Sequence, residues 1–149
     1  MLRPMTHIST AKFFTKQLAY IAGYSSPKRF TTDVLRYDLP IQPCGPQSFR
    51  DNLYDLPGLL KAAVLRQLRG TGLPVARIRP LLALLDDEAA NEASARFISG
   101  QIQSLHCVVL LGSQPTAEWA DHAPASLSGA NSALLIDVTP ALQALFNRR

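Results

Sequence analysis

From Tyr54 to Leu85 the chain carries two apolar runs at helical spacing, separated by Gly70-Thr71-Gly72. In the first run Leu56, Leu60, Ala63, Val64 and Leu68 share one stripe; in the second Val75, Ile78, Leu81, Leu82 and Leu85 do the same. Glycine takes positive φ without steric cost, so the Gly-Thr-Gly stretch fits a helix end followed by a tight corner. Lys61, Arg66, Arg69, Arg77 and Arg79 fall among the remaining positions with no acid beside them, which predicts an apolar inside and a basic outside. Pro80 stands within the second run, where a missing N–H costs roughly 3 kcal/mol unless the helix starts late.

The basic surplus belongs to the whole front half. Residues 1–80 hold twelve Lys and Arg against four Asp and Glu, a net of +8; residues 81–149 hold three against seven, a net of −4. Such a division suits a front half that binds a polyanion and a back half with another task. At 149 residues the chain can bury one substantial core. Cys44 and Cys107 lie 63 positions apart, which offers neither a disulfide framework nor metal-ligand spacing and suits a reducing, cytoplasmic setting. No apolar run approaches the roughly 18 residues of a membrane span, the longest being Cys107 to Leu111. Residues 1–32 contain Arg3, Lys12, Lys16, Lys28 and Arg29 without an acid and are rich in Ser and Thr, a composition also found in mitochondrial transit peptides.

The same segment has a second use. Phe14 to Gly23 reads as a short helix with Thr15 at its N-cap, Leu18, Ile21 and Ala22 facing inward, and Gly23 ending it. After a turn at Tyr24-Ser25-Ser26, either serine can cap a second helix with Pro27 at its first position, headed by Lys28, Arg29, Thr31 and Thr32. Helix, glycine-containing turn, and a helix carrying basic and hydroxyl side chains form a helix-turn-helix pattern. Between Arg36 and Leu53 the prolines at 40, 43 and 46 exclude a long helix; Leu39, Ile41 and Phe49 are the apolar anchors of a short two-stranded wing or an irregular loop.

Four stretches in this order resemble the DNA-binding domain of MerR-type regulators: FTKQLAYIAGYS at Phe14–Ser25, VLRYDLPIQP at Val34–Pro43, LYDLPGLLKAAVLRQLR at Leu53–Arg69 and GLPVARIRPLLALLDD at Gly72–Asp87. The resemblance implies a mainly α fold with a small β part: a winged helix-turn-helix over residues 14–87 and a C-terminal α/β appendage over residues 88–149. It implies a non-enzymatic, homodimeric, sequence-specific regulator that binds double-stranded DNA, with RNA polymerase as a further partner and no cofactor. Arg29 and Thr32 are then candidates for base edges, and Lys16, Lys28, Arg36 and Arg50 for phosphates. The chain departs from the family in having more residues between Gly23 and Leu35-Arg36-Tyr37 and fewer after them. Either Lys28-Arg29 or Leu35-Arg36-Tyr37 therefore occupies the groove-facing helix. The wing lacks the family's usual Gly-x-Arg-x-Tyr. The alternative from another class is a protein-interaction module whose basic helices dock an acidic partner, with or without an N-terminal targeting segment.

In the back half, Ala89 to Leu105 reads as a third long helix with Phe97, Ile98, Ile102 and Leu105 on its apolar side. Strands follow at Cys107–Leu111 and Ala133–Val138, separated by a loop from Ser113 to Asn131 around Trp119, and a short helix begins at Thr139-Pro140. Asp121 and His122 are adjacent and so do not aim at one substrate; no phosphate loop, nucleophile elbow or paired carboxylates accompany them. Two strands alone leave bare edges and uncovered faces, so the missing cover is expected from a second copy of the chain through residues 89–149.

Overall fold

The structure, a computed structural model, describes residues 12–44, 52–121 and 132–146. A short strand β1 (Phe13–Phe14) leads into helices α1 (Thr15–Ile21) and α2 (Pro27–Arg36). Strand β2 (Leu53–Tyr54) leads into α3 (Leu56–Gly70), α4 (Val75–Ala83) and α5 (Asp87–Ile98). Three strands, β3 (His106–Leu111), β4 (Thr116–Ala120) and β5 (Ser132–Asp137), precede a last helix, α6 (Thr139–Phe146). β1 pairs antiparallel with β2, and β3 lies between β4 and β5 in a second antiparallel sheet. The described residues thus form a mainly helical fold with a small β part, as expected.

Each helix begins and ends for a local reason. Ser26 caps α2 by accepting from the Arg29 N–H at 3.2 Å, with Pro27 at the first position; Asp55 and Asp86 cap α3 and α5 in the same way. The expected cap at Thr15 is displaced by one residue. Phe14 is the N-cap of α1; it has no side-chain acceptor, and its N–H donates to Gln17 Oε1 at 2.7 Å instead. Gly23 ends α1 in the left-handed region at φ +79°, and the Tyr24 N–H reaches back to the Ala19 carbonyl. Asp38 does the same for α2 at φ +52°, with Leu39 N–H bonded to the Val34 carbonyl. Because a non-glycine residue is used there, the stop is invisible to a search for helix-ending glycines. Pro80 sits inside α4, which starts at Val75 and so does not escape the missing hydrogen bond.

The core is built around α3. Every residue from Leu56 to Leu65 is buried, and the helix packs against α1, α4 and α5. Lys61 corrects the expectation of a basic exterior: it is 6% exposed, pointing its ammonium at the Pro40 carbonyl (3.1 Å) and Asp87 (2.7 Å). One hydrophobic cluster runs without a break from Phe13 through α3 to Leu142 of α6.

The back half departs from expectation in two places. The long helix stops at Ile98, because Gly100 adopts φ +82° and the Gln101 N–H returns to the Arg96 carbonyl; Ile102 and Leu105 are buried but not helical. The segment read as a loop around Trp119 contains β4, whose polar–apolar alternation of Thr116, Ala117, Glu118 and Trp119 is the strand period. Cys107 and Val109 of β3 face inward opposite Trp119 and Ala117 on one side and Ile136 and Leu134 on the other. No helix among the described residues is long and apolar enough to cross a membrane.

Burial pushes the Cys107 thiol up to about 12. A thiol whose pKa is raised on folding contributes its full stability below its unfolded value of about 8.5, and loses it as pH climbs toward the folded value. Unfolding midpoints should therefore fall across that alkaline window, and Cys107→Ala should flatten the slope. In the native protein Ellman's reagent should react with half-buried Cys44 and leave Cys107 untouched until the chain unfolds.

Candidate nucleic-acid interface

Successive positions of α2 turn by about 100°. Phe30 and Val34 therefore share its inward face and are buried, while Lys28, Arg29, Thr32, Leu35 and Arg36 occupy the opposite side and are exposed. Lys28-Arg29 and Leu35-Arg36, from the two alternative segments, lie on one helix and share its outward face, whereas Tyr37 caps the helix end and packs partly against the core. The only carboxylate of α2, Asp33, lies on the flank and accepts from the Tyr24 hydroxyl at 2.7 Å. Burial, followed by that donation to Asp33, holds the Tyr24 hydroxyl well above its usual range, so it stays a donor.

Two arginines of the helix pair fix α2 from both ends. At the start, the Arg69 guanidinium lies 4.0 Å over the Tyr24 ring and donates to the Ala22 carbonyl at 3.1 Å. Tyr24 meets Phe30 edge-on at 5.5 Å, and Phe30 meets Tyr54 at 6.5 Å, so a line of rings carries the turn down to β2. At the far end, Arg79 of α4 donates to both the carbonyl and the carboxylate of Asp38, at 3.1 and 3.2 Å. Arg66 lays its stem along Gly23, where a methyl group would stand 3.2 Å from its Cγ. The basic residues of the helix pair are thus divided. Lys61, Arg69 and Arg79 are structural ties, whereas Arg66 and Arg77 have no ion-pair partner among the described residues.

An open concavity of about 580 Å³ lies between the α1–α2 turn and the end of α3, bordered by Ser25, Lys28, Arg29, Thr32 and Arg69. Two uncommitted cations, Lys28 and Arg29, border the hollow and its one acid, Asp33, already accepts from Tyr24, so the hollow can seat phosphate oxygens. Lys16 is exposed on a separate helix, α1, away from this cluster in sequence, and Arg50 lies outside the described residues, as do Phe49 and the rest of residues 45–51. What can be described there is the base of the loop, where Cys44 bridges Leu53 in antiparallel fashion. Two features are not among the candidate contacts drawn from sequence: Leu35, 82% exposed in the middle of the basic face and named there only within the Leu35-Arg36-Tyr37 alternative, and the Tyr24–Arg69 stack. The first could have been found by projecting the helix to Asp38; the second carries no sequence signal, since its partners lie 45 residues apart.

Elsewhere, Trp119 is part of a strand and donates from Nε1 to the Asp86 carbonyl at 3.2 Å, and Asp121 pairs with Arg96 at 3.2 Å. His106 and Cys107 point to opposite faces of β3. Among the described residues no group of three or more His, Cys, Asp and Glu is placed to hold a metal ion. Compared with known proteins, the chain matches no family model, no curated protein and no solved structure.

If the Tyr24–Asp33 contact orients α2, Tyr24→Phe should cost about 1.5–3 kcal/mol in urea unfolding, the value of a hydrogen bond to a charged group. The more exposed Arg79–Asp38 pair should be worth less, with Arg79→Ala costing under about 1 kcal/mol. The reverse order would show that the helix is held mainly from its far end.

Proposed function

We propose that this chain is a cytoplasmic, sequence-specific transcription regulator of the MerR type. In this reading it is a winged helix-turn-helix whose α2 enters the major groove of duplex DNA, and it acts as a homodimer. The observation that carries the proposal is the outward face of α2, where Lys28, Arg29 and Arg36 flank Thr32 and Leu35 and no free acid competes. Such a face attracts phosphate from any sequence, and its central residues meet base edges. Arg29 and Thr32 are assigned to base edges, and Lys16, Lys28 and Arg36 to phosphates. Leu35 suits the methyl group of a thymine, the apolar feature of the major groove.

The order of parts supports the same reading. β1 comes before the helix pair and β2 after the following loop, the two strands pair, and the Cys44–Leu53 bridge closes that loop. The loop would be the wing, with Arg50 on it as a further phosphate contact. The dimer no longer draws support from a missing strand, because β4 completes a three-stranded sheet within the chain. Its remaining support is the outer face of that sheet. Leu135 is 48% exposed there and half-buried Leu110 stands opposite Ala133, although Val108, opposite Leu135, is already buried within the chain. A two-fold contact through this face would hold two α2 helices at fixed spacing for a palindromic site.

The test is duplex binding across salt. A dimer making ~6–10 phosphate contacts should lose roughly 10³–10⁵ in affinity between 50 and 200 mM salt. Lys16→Ala should weaken all sequences alike, whereas Arg29→Ala should relax preference at one base pair by about 1–3 kcal/mol. Sedimentation of the intact protein should give a dimer. A flat salt response, or no binding at low salt, contradicts the DNA reading and favours an acidic protein partner; a monomer contradicts the palindrome.

A further inference from the structure

A second concave surface lies away from α2, between the exposed side of α4 and the turn from β3 to β4. It encloses about 440 Å³, within the size range of small-molecule sites. Its walls are mainly apolar: Leu73, Leu81 and Pro80 from the helix side, and Leu111 and Pro115 from the sheet side. Its one charge is Arg77. Two residues further along α4, Arg79 is committed to Asp38, but Arg77 has no carboxylate within ion-pair distance among the described residues. An arginine beside an apolar cleft, without an acid of its own, lends the cleft to an anion with an apolar body.

Pro80 adds a second observation. It stands at the sixth position of a nine-residue helix, where a proline is costly, and it contributes to the wall of this cleft. Having no N–H, it leaves the Ala76 carbonyl without its i+4 donor, and Ala76 also lines the cleft. The stretch of helix that bears Arg77 therefore departs from the regular hydrogen-bond ladder where it borders the cleft.

The geometry points to a binding site for a small amphipathic anion, an aliphatic or aromatic carboxylate, whose acid pairs with Arg77 while its apolar body lies against Leu73, Leu81 and Leu111. One wall belongs to the helix pair and the other to the sheet, so an occupant ties these two parts together. The inference uses none of the residues assigned to DNA and stands or falls apart from that reading.

Methyl-resolved NMR of the full chain tests it, with sodium octanoate as the probe and octylamine and octanol as chain-length controls, all below their micelle or solubility limits. Octanoate should shift the Leu73, Leu81 and Leu111 methyls saturably and bind at least tenfold more tightly than octylamine or octanol. Arg77→Gln should bring octanoate down to the level of octanol. Ala76→Leu, which fills the cleft without harming helix propensity, should weaken both octanoate and octanol, and Arg66→Gln, removing an equally unpaired arginine on α3, should change neither. Equal shifts from octanoate and octylamine would overturn the site. So would octanoate shifts confined to Leu135 and the outer sheet face, or no saturable shift at these methyls.

Discussion

The rest of the structure depends on the burial of α3 around its whole circumference. A helix that is apolar on one stripe needs one neighbour; a helix buried at every position from Leu56 to Leu65 needs cover on all sides. That cover comes from α1, α4 and α5 and from Leu39 and Ile41, both fully buried. Each leucine taken from water contributes about 1.5–3 kcal/mol, so the sum over α3 fixes the positions of its neighbours. Lys61 belongs to the same constraint. An ammonium inside a packed helix is tolerated only with partners, and its partners are the Pro40 carbonyl and the first residue of α5. It therefore joins the segment after α2 to the start of the back half.

A scaffold held this way can present a helix without deforming. α2 has only two inward residues, Phe30 and Val34, and would be poorly oriented by these alone. Arg69 and Arg79 reach it from the two helices of the central pair, one at each end, and the aromatic line from Tyr24 to Tyr54 braces it in between. The basic character of the front half thus has two origins. Some cations hold the frame, and those left over on α2 are the ones available to a polyanion. Net charge alone does not separate the two groups, because an engaged arginine and a free one count the same.

Much of this was legible from residue order, and the failures have physical reasons. The Gly70-Thr71-Gly72 corner, the Ser26-Pro27 start of α2 and two strands, expected at Cys107–Leu111 and Ala133–Val138 and observed at His106–Leu111 and Ser132–Asp137, follow from local chemistry. The spacing of Leu56, Leu60, Ala63, Val64 and Leu68 predicts an amphipathic α3, but between Leu56 and Leu65 Lys61 is the only charge, which argues for burial on every side. The end of α2 was missed because Asp38 does the work of a glycine, and the end of α5 because Ile102 and Leu105 continue a helical spacing past Gly100. β4 was hidden by its length of five residues and by the proline before it. The fates of Arg69, Arg77 and Arg79 were not legible at all. They depend on which acid, ring or carbonyl the fold brings near, and those partners lie far away in the chain.

On the proposed reading, the frame around α3 presents the outward face of α2 to duplex DNA. The most direct test is an amide-resolved NMR titration of the full chain with a short mixed-sequence duplex at low salt. The account predicts that the signals of Lys28, Arg29, Thr32, Leu35 and Arg36 move or broaden from the first additions, while those of β3, β4 and β5 stay in place. Perturbation confined to the sheet, or none anywhere, would contradict it.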